Sequence, residues 1–161
     1  MPNSLEIQVG QLLSTRGLRL VLAESCTGGL LGSRISDVPG SSEYFLGGVV
    51  AYAYEAKADL LGVSWDTLNT KGAVSRETVL EMARGVRQRM KADIGVSVSG
   101  IAGPGGGTPE KPVGTTWIGL AAEDGEWAKT YQFSGDREEN KISAVDAALT
   151  LLLNYLQGKA I

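Results

Sequence analysis

Apolar positions along this chain fall into two rhythms that trade places several times. Leu5, Val9, Leu12 and Leu13 recur at helical spacing, with Asn3 and Glu6 as a capping box ahead of them and Gly17 as a stop. Leu18 to Ala23 (LRLVLA) is then almost continuously apolar, the pattern of a central strand covered on both faces. A polar turn, Glu24 to Gly29, opens a helix of about ten residues that must end before Pro39 and Gly40. Gly47 to Ala53 reads as a second strand, and Glu55 to Leu61 as a helix closed by Gly62. The clearest helix is capped by Ser75 and carries a stripe of Val79, Met82, Ala83, Val86 and Met90. Ile94 to Val98, a third strand, alternates apolar and small residues. Thr115 to Ala122 and Trp127 to Phe133 flank Asp124-Gly125, a two-residue hairpin signal. Asp136 and Glu139 form a second capping box, and Ile142, Val145, Leu149, Leu152 and Leu156 make the core stripe of the last helix. Strands alternating with helices, then a hairpin and a helix, predict a layered α/β fold with a mixed sheet.

Composition narrows the chemistry more than the fold. The 161 residues suit one domain, 1–161, with no repeat or composition shift to divide it. There is no histidine, which removes serine–histidine–acid triads, cysteine–histidine pairs and histidine-ligated metals. The single cysteine, Cys26, excludes an intrachain disulfide and a thiolate metal cluster, so neither metal nor cofactor is expected. A net charge of −3 gives no global basic field for nucleic acid or anionic lipid. The first residues lack a secretory pattern and no apolar stretch is long enough to span a bilayer, so the expected location is cytoplasmic.

Two glycine-rich turns follow predicted strands, where open α/β sheets collect their ligands. In the first, Ser25, Cys26 and Thr27 precede Gly28, Gly29 and a helix N-terminus. Free backbone N–H groups there suit an oxyanion, so Ser25 is a candidate nucleophile; the plain alternative is a helix cap. Cys26 is a second candidate, set against a small buried filler. The second turn holds Gly100, Gly103, Gly105, Gly106 and Gly107, with Lys111 beyond. It is neither a P-loop nor a dinucleotide fingerprint, and is either a cradle for phosphate or carboxylate or a flexible loop. A nucleophilic Ser25 needs a base that is not histidine. Lys57 is a candidate if burial or nearby positive charge lowers its pKa; otherwise it is a solvated helix lysine.

The segments AESCTGG, YxxEAK, GAVS and SGIAGPGGGTPEKPVGTTW, in that order, resemble the CinA C-terminal domain family from about Leu5 to Leu156. The resemblance implies a three-layer α/β/α domain that hydrolyses the carboxamide of nicotinamide mononucleotide to nicotinate mononucleotide and ammonia, a step of pyridine nucleotide salvage. By motif it makes Ser25 the nucleophile and Lys57 the base, with Tyr52 assisting. Cys26, Thr27, Gly28 and Gly29 would line the oxyanion and substrate site. The Gly100–Gly107 loop, Lys111 and Arg137 would meet the ribose phosphate. Homo-oligomers occur in the family, and the apolar content here allows one. Where family members usually have serine and asparagine before EAK, this chain has Ala53 and Tyr54; where they often carry a second arginine after GDR, it has Lys141. With a cap at Asn3, the extra N-terminal domain of longer relatives is expected to be missing. Two rival functions are a non-catalytic nucleotide- or protein-binding domain, and a serine amidohydrolase for another small carboxamide.

Overall fold

The computed structural model describes residues 4–161. Among these residues five strands and six α-helices follow in the order α1 (Leu5–Arg16), β1 (Leu20–Glu24), α2 (Leu30–Ser36), β2 (Phe45–Val50), α3 (Tyr54–Leu61), α4 (Trp65–Lys71), α5 (Arg76–Met90), β3 (Ile94–Gly100), β4 (Thr115–Ala122), β5 (Gly125–Gln132) and α6 (Arg137–Leu156). The strands form one sheet in the order β2-β1-β3-β4-β5. β1 runs parallel to β2 and β3, whereas β3, β4 and β5 pair antiparallel. This is the mixed sheet that the alternating pattern predicts.

Period-two alternation in the central strands separates two cores. Leu20 and Leu22 of β1, with Ile94, Val96 and Val98 of β3, pack on one face beneath Val9 and Leu13 of α1, Leu31 and Ile35 of α2, and Val145, Leu149 and Leu152 of α6. Val21 and Ala23 face the other way, against Leu61 of α3, Leu68 of α4 and Met82 and Val86 of α5. The result is three layers, α/β/α.

On the α5 face the sheet carries very small residues, and they decide how close α5 comes. A Cβ at Gly95 would stand 2.5 Å from the Ala83 carbonyl, and one at Gly119 would stand 2.5 Å from the Val79 carbonyl. Ser97 fills the same layer by donating its hydroxyl to Val79 O at 2.6 Å. The alternation of apolar and small residues in β3 is therefore one thick face and one thin face.

Several boundaries move. β1 ends on Glu24, β2 spans Phe45–Val50 instead of Gly47 to Ala53, and α2 has seven residues. The hairpin loop is Glu123-Asp124, because Ala122 pairs with Gly125. Met90 and Ile142 are exposed (43% and 45%), not core: Met90 is the last residue of α5, and Ile142 lines a surface cavity. The Asn3–Glu6 capping box involves Asn3, which lies outside the described residues; α1 opens after Ser4. The Asp136–Glu139 box is present in both directions, at 2.9 and 3.0 Å. Helix α4 and a single 3-10 turn at Ser41–Glu43 are additions, too short for a periodic signal.

Candidate active site

The carboxyl end of β1 organises the site by sending two consecutive side chains to opposite faces of the sheet. Glu24 follows Leu20 and Leu22 towards α2 and is 4% exposed. Its carboxylate accepts Thr27 Oγ1 at 2.6 Å and the N–H groups of Gly29, Leu31 and Gly32 at 3.2, 2.9 and 2.9 Å. A buried anion is thus held by the first turn of α2, where the free N–H groups and helix dipole favour negative charge. Those donors are consumed, so the N-terminus of α2 offers nothing further to a ligand through them. Gly28 N–H is also spent, on Ser25 O at 3.1 Å. The N–H groups of Cys26 and Thr27 make no hydrogen bond to an oxygen acceptor among the described residues. Gly28 and Gly29 have φ of 60° and 106°, which allows the tight passage from strand to helix.

Ser25 continues the other set, after Val21 and Ala23, and turns towards α3. Its N–H extends the β1–β3 ladder by donating to Val98 O at 2.9 Å. Lys57, one turn into α3, has no exposed surface. Its Nζ lies 2.9 Å from Ser25 Oγ, 2.9 Å from Ala51 O and 2.8 Å from Tyr52 O. Both carbonyls come from the irregular segment after β2, the part that sequence patterning assigned to the strand. No carboxylate is among the partners of Nζ, and burial depresses the Lys57 pKa from 10.5 to about 8. A neutral amine has two N–H bonds and one lone pair. As an ammonium, Nζ donates to all three oxygens; once neutral, it gives its two N–H bonds to the carbonyls and keeps a lone pair for the Ser25 hydroxyl.

The neighbouring thiol behaves differently. Cys26 packs into the α2/α6 core, and burial pushes its pKa up to about 11. Its side chain is a protonated filler at neutral pH, and only its backbone reaches the turn.

Tyr52 is 59% exposed, and its hydroxyl accepts from Arg137 Nη2 at 3.1 Å. Arg137 also donates to Gly103 O at 2.7 Å, and Asn140 Nδ2 to Ala102 O at 3.0 Å. The first turn of α6 therefore ties the start of the second glycine loop to the tyrosine. Asn140 is a site-shaping residue that sequence inspection missed; its place one turn beyond Arg137 was the available signal. Gly103 needs its glycine, with φ 89° and Val113 2.5 Å from where a Cβ would stand. Gly100 lies against Thr116 and Gly107 against Val113, whereas Gly105 is exposed and a Cβ there would meet nothing within 4 Å. Lys111 is anchored elsewhere: its Nζ donates to Lys71 O at 2.5 Å, at the end of α4.

Lys141, in contrast, stands over the first turn, its Nζ 3.9 Å from where a Cβ of Gly28 would lie. With Leu30, Arg137, Glu138 and Ile142 it lines a cavity of about 400 Å³. The Ala53 and Tyr54 departures lie outside the dyad. Ala53 leaves the α3 N-terminus without a side-chain cap, and the Tyr54 ring packs against Trp65 at 6.4 Å. Among the described residues no metal-binding cluster occurs and no helix is long and apolar enough to cross a membrane.

These features define an α/β domain with a serine hydroxyl 2.9 Å from a buried lysine amine at the carboxyl end of β1. Residues 2–156 match the CinA C-terminal domain, and the chain belongs to that family. A putative competence-damage inducible protein of Halothermothrix orenii is 58% identical over 96% of this chain and 38% of its own length. A CinA-like protein of Chlorobaculum tepidum is 54% identical, with the same two coverages, 96% and 38%. The chain thus spans under two-fifths of the curated relatives it matches. Solved structures match over nearly their whole length. A CinA superfamily protein from Klebsiella pneumoniae 700603 has a TM-score of 0.92 at 36% identity, covering 96% of both chains. The competence/damage inducible protein CihA from Agrobacterium tumefaciens has a TM-score of 0.90 at 39% identity, covering 98% of both.

Proposed function

We propose that this domain is an amidase that hydrolyses the carboxamide of nicotinamide mononucleotide, releasing ammonia and nicotinate mononucleotide. The observation that carries the reading is Lys57 itself. A lysine with no exposed surface, its N–H bonds directed at two carbonyls and its remaining position 2.9 Å from a serine hydroxyl, is built to accept that proton. A lysine kept only for structure would be expected to pair with a carboxylate or reach solvent.

In this mechanism the neutral Lys57 amine takes the Ser25 proton as Oγ attacks the carboxamide carbon. The oxyanion is stabilised by the N–H groups of Cys26 and Thr27, the two in the turn that no oxygen of the described residues already accepts. The Lys57 ammonium then protonates the leaving nitrogen, ammonia departs, and Ser25 is left acylated. Water attacks the ester, its proton passes to Lys57, and Ser25 Oγ recovers a proton as nicotinate mononucleotide leaves. Tyr52, its hydroxyl held by Arg137, orients the substrate at the mouth. Arg137 and Lys141, on the same side of α6, supply charge for the ribose phosphate.

Ammonia release from nicotinamide mononucleotide by the purified protein, with Ser25→Ala beside it, tests the reading. The wild type is expected to release ammonia, and the variant to lose about 10³-fold or more in kcat. Binding of the nucleotide without turnover in the wild type would make this a binding domain instead. Turnover that survives in Ser25→Ala would remove the nucleophile.

A further inference from the structure

Ser99 carries a buried hydroxyl that the resting site does not use. The residue is 1% exposed, and its Oγ has no hydrogen-bond partner among the described residues. Other buried hydroxyls of β3 and α5 are bonded: Ser97 donates to Val79 O at 2.6 Å, Thr78 to Gly72 O at 2.7 Å and Ser75, the α5 cap, to Gly72 O at 3.0 Å. Unpartnered buried hydroxyls are costly, so one that is retained calls for a partner in some other state.

Register identifies that partner. β1 and β3 are parallel, with Ala23 opposite Ser97 and Glu24 opposite Val98, and the Ser25 N–H continues the ladder onto Val98 O. The next step sets Ser25 beside Ser99. Parallel neighbours stand about 4.8 Å apart, and alternation puts both side chains on the α3/α5 face. Lys57 approaches Ser25 from the β2 side, on α3, whereas Ser99 approaches from the β3 side. Nζ has no position left for Ser99, since Ala51 O, Tyr52 O and Ser25 Oγ occupy all three.

We propose that Ser99 is a positioning residue for Ser25, rotating about χ1 to donate its hydroxyl to Ser25 Oγ whenever that oxygen has surrendered its proton to Lys57. Negative charge develops on Oγ at attack and again when the acyl group leaves, so one donor serves both half-reactions. The substrate need not reach Ser99, which suits its burial. The proposal rests on Ser25 being a nucleophile served by Lys57, but not on the identity of the substrate.

An alkyl fluorophosphonate tests it without the nucleotide. Ser25 Oγ forms the bond to phosphorus, the P–F bond breaks, fluoride leaves, and the Ser25 proton passes to Lys57. Labelling of the full chain is followed by intact mass between pH 6 and 10, and the adduct is mapped to Ser25, in wild type and Ser99→Ala. The high-pH plateau rate is expected to fall about tenfold in the variant, the scale of a hydrogen bond to a charged oxygen. The midpoint of the pH limb should stay in place and Tm should be equal or higher, because the resting protein loses no hydrogen bond. A plateau within threefold of wild type, a displaced midpoint or a lowered Tm each overturns the proposal. A wild-type Ser25 that takes no label removes the nucleophile, and Ser99 with it. Labelling without ammonia release from the nucleotide sinks only the substrate assignment.

Discussion

A lysine with no exposed surface and no carboxylate beside it holds its proton weakly, because the charged form loses hydration that two carbonyls and a hydroxyl only partly replace. Lys57 is such a lysine, with a pKa lowered from 10.5 to about 8 by burial. Two consequences share this cause. In the proposed mechanism its neutral form is the base, so kcat/KM for ammonia release should rise with pH through about 8 and then level off, with no metal requirement. Lys57→Arg keeps the charge but cannot give it up, and should lose about 10²–10⁴-fold at every pH. Stability follows the same titration. Between about 8 and 10.5 the unfolded chain binds more protons at this site than the folded one, so folding stability gains as pH rises through that window. Denaturation of wild type and Lys57→Met at pH 7.5 and pH 10 checks the sign: the difference should move in favour of wild type at the higher pH. Movement the other way would mean the buried lysine keeps its proton and cannot be the base.

Two elements carry the dyad, and each is held by contacts that leave little slack. The Ser25 turn is fixed from below by Glu24, whose four donors bind the end of β1 to the start of α2. Helix α3 is fixed at its far end, where Leu61 O lies so close to Gly85 of α5 that a Cβ there would stand 1.8 Å away. Gly85→Ala must push α3 and α5 apart. It should cost about 1–3 kcal/mol in urea denaturation and lower turnover besides, since Lys57 rides on α3. Most of these elements were legible in the chain. Ser75, Gly62 and the Asp136–Glu139 box mark helix ends by local chemistry, which needs no tertiary partner. Helix α4 was not, because seven residues with one buried leucine, Leu68, make no stripe. The role of Glu24 was hidden too: a polar residue at a strand end reads as turn, and only the folded helix supplies its donors.

Assembly across the whole molecule is what patterning conveys least. The serine and the lysine are legible as types at plausible places, but burial of Lys57 depends on β2 ending early, so that Ala51 and Tyr52 turn their carbonyls inward. The second glycine loop shows the opposite outcome. Its glycines let it fold tightly upon Val113, and its lysine, Lys111, is spent on the end of α4. The cations proposed to meet the phosphate are instead Arg137 and Lys141 of the last helix, which line one cavity together with the carboxylate of Glu138. Arg137 is shared between Tyr52 and Gly103, so its removal would disturb the mouth as well as any phosphate. Lys141 makes no such ties among the described residues and stands over Gly28, which makes it the cleaner probe. In Lys141→Ala the KM for nicotinamide mononucleotide should rise about 3–10-fold with kcat little changed, as expected for one ammonium–phosphate contact near solvent. Nicotinamide riboside, which lacks the phosphate, should be turned over equally by both proteins, and added salt should narrow the gap for the nucleotide. Equal losses on nucleotide and riboside would show that Lys141 shapes the turn and binds no phosphate.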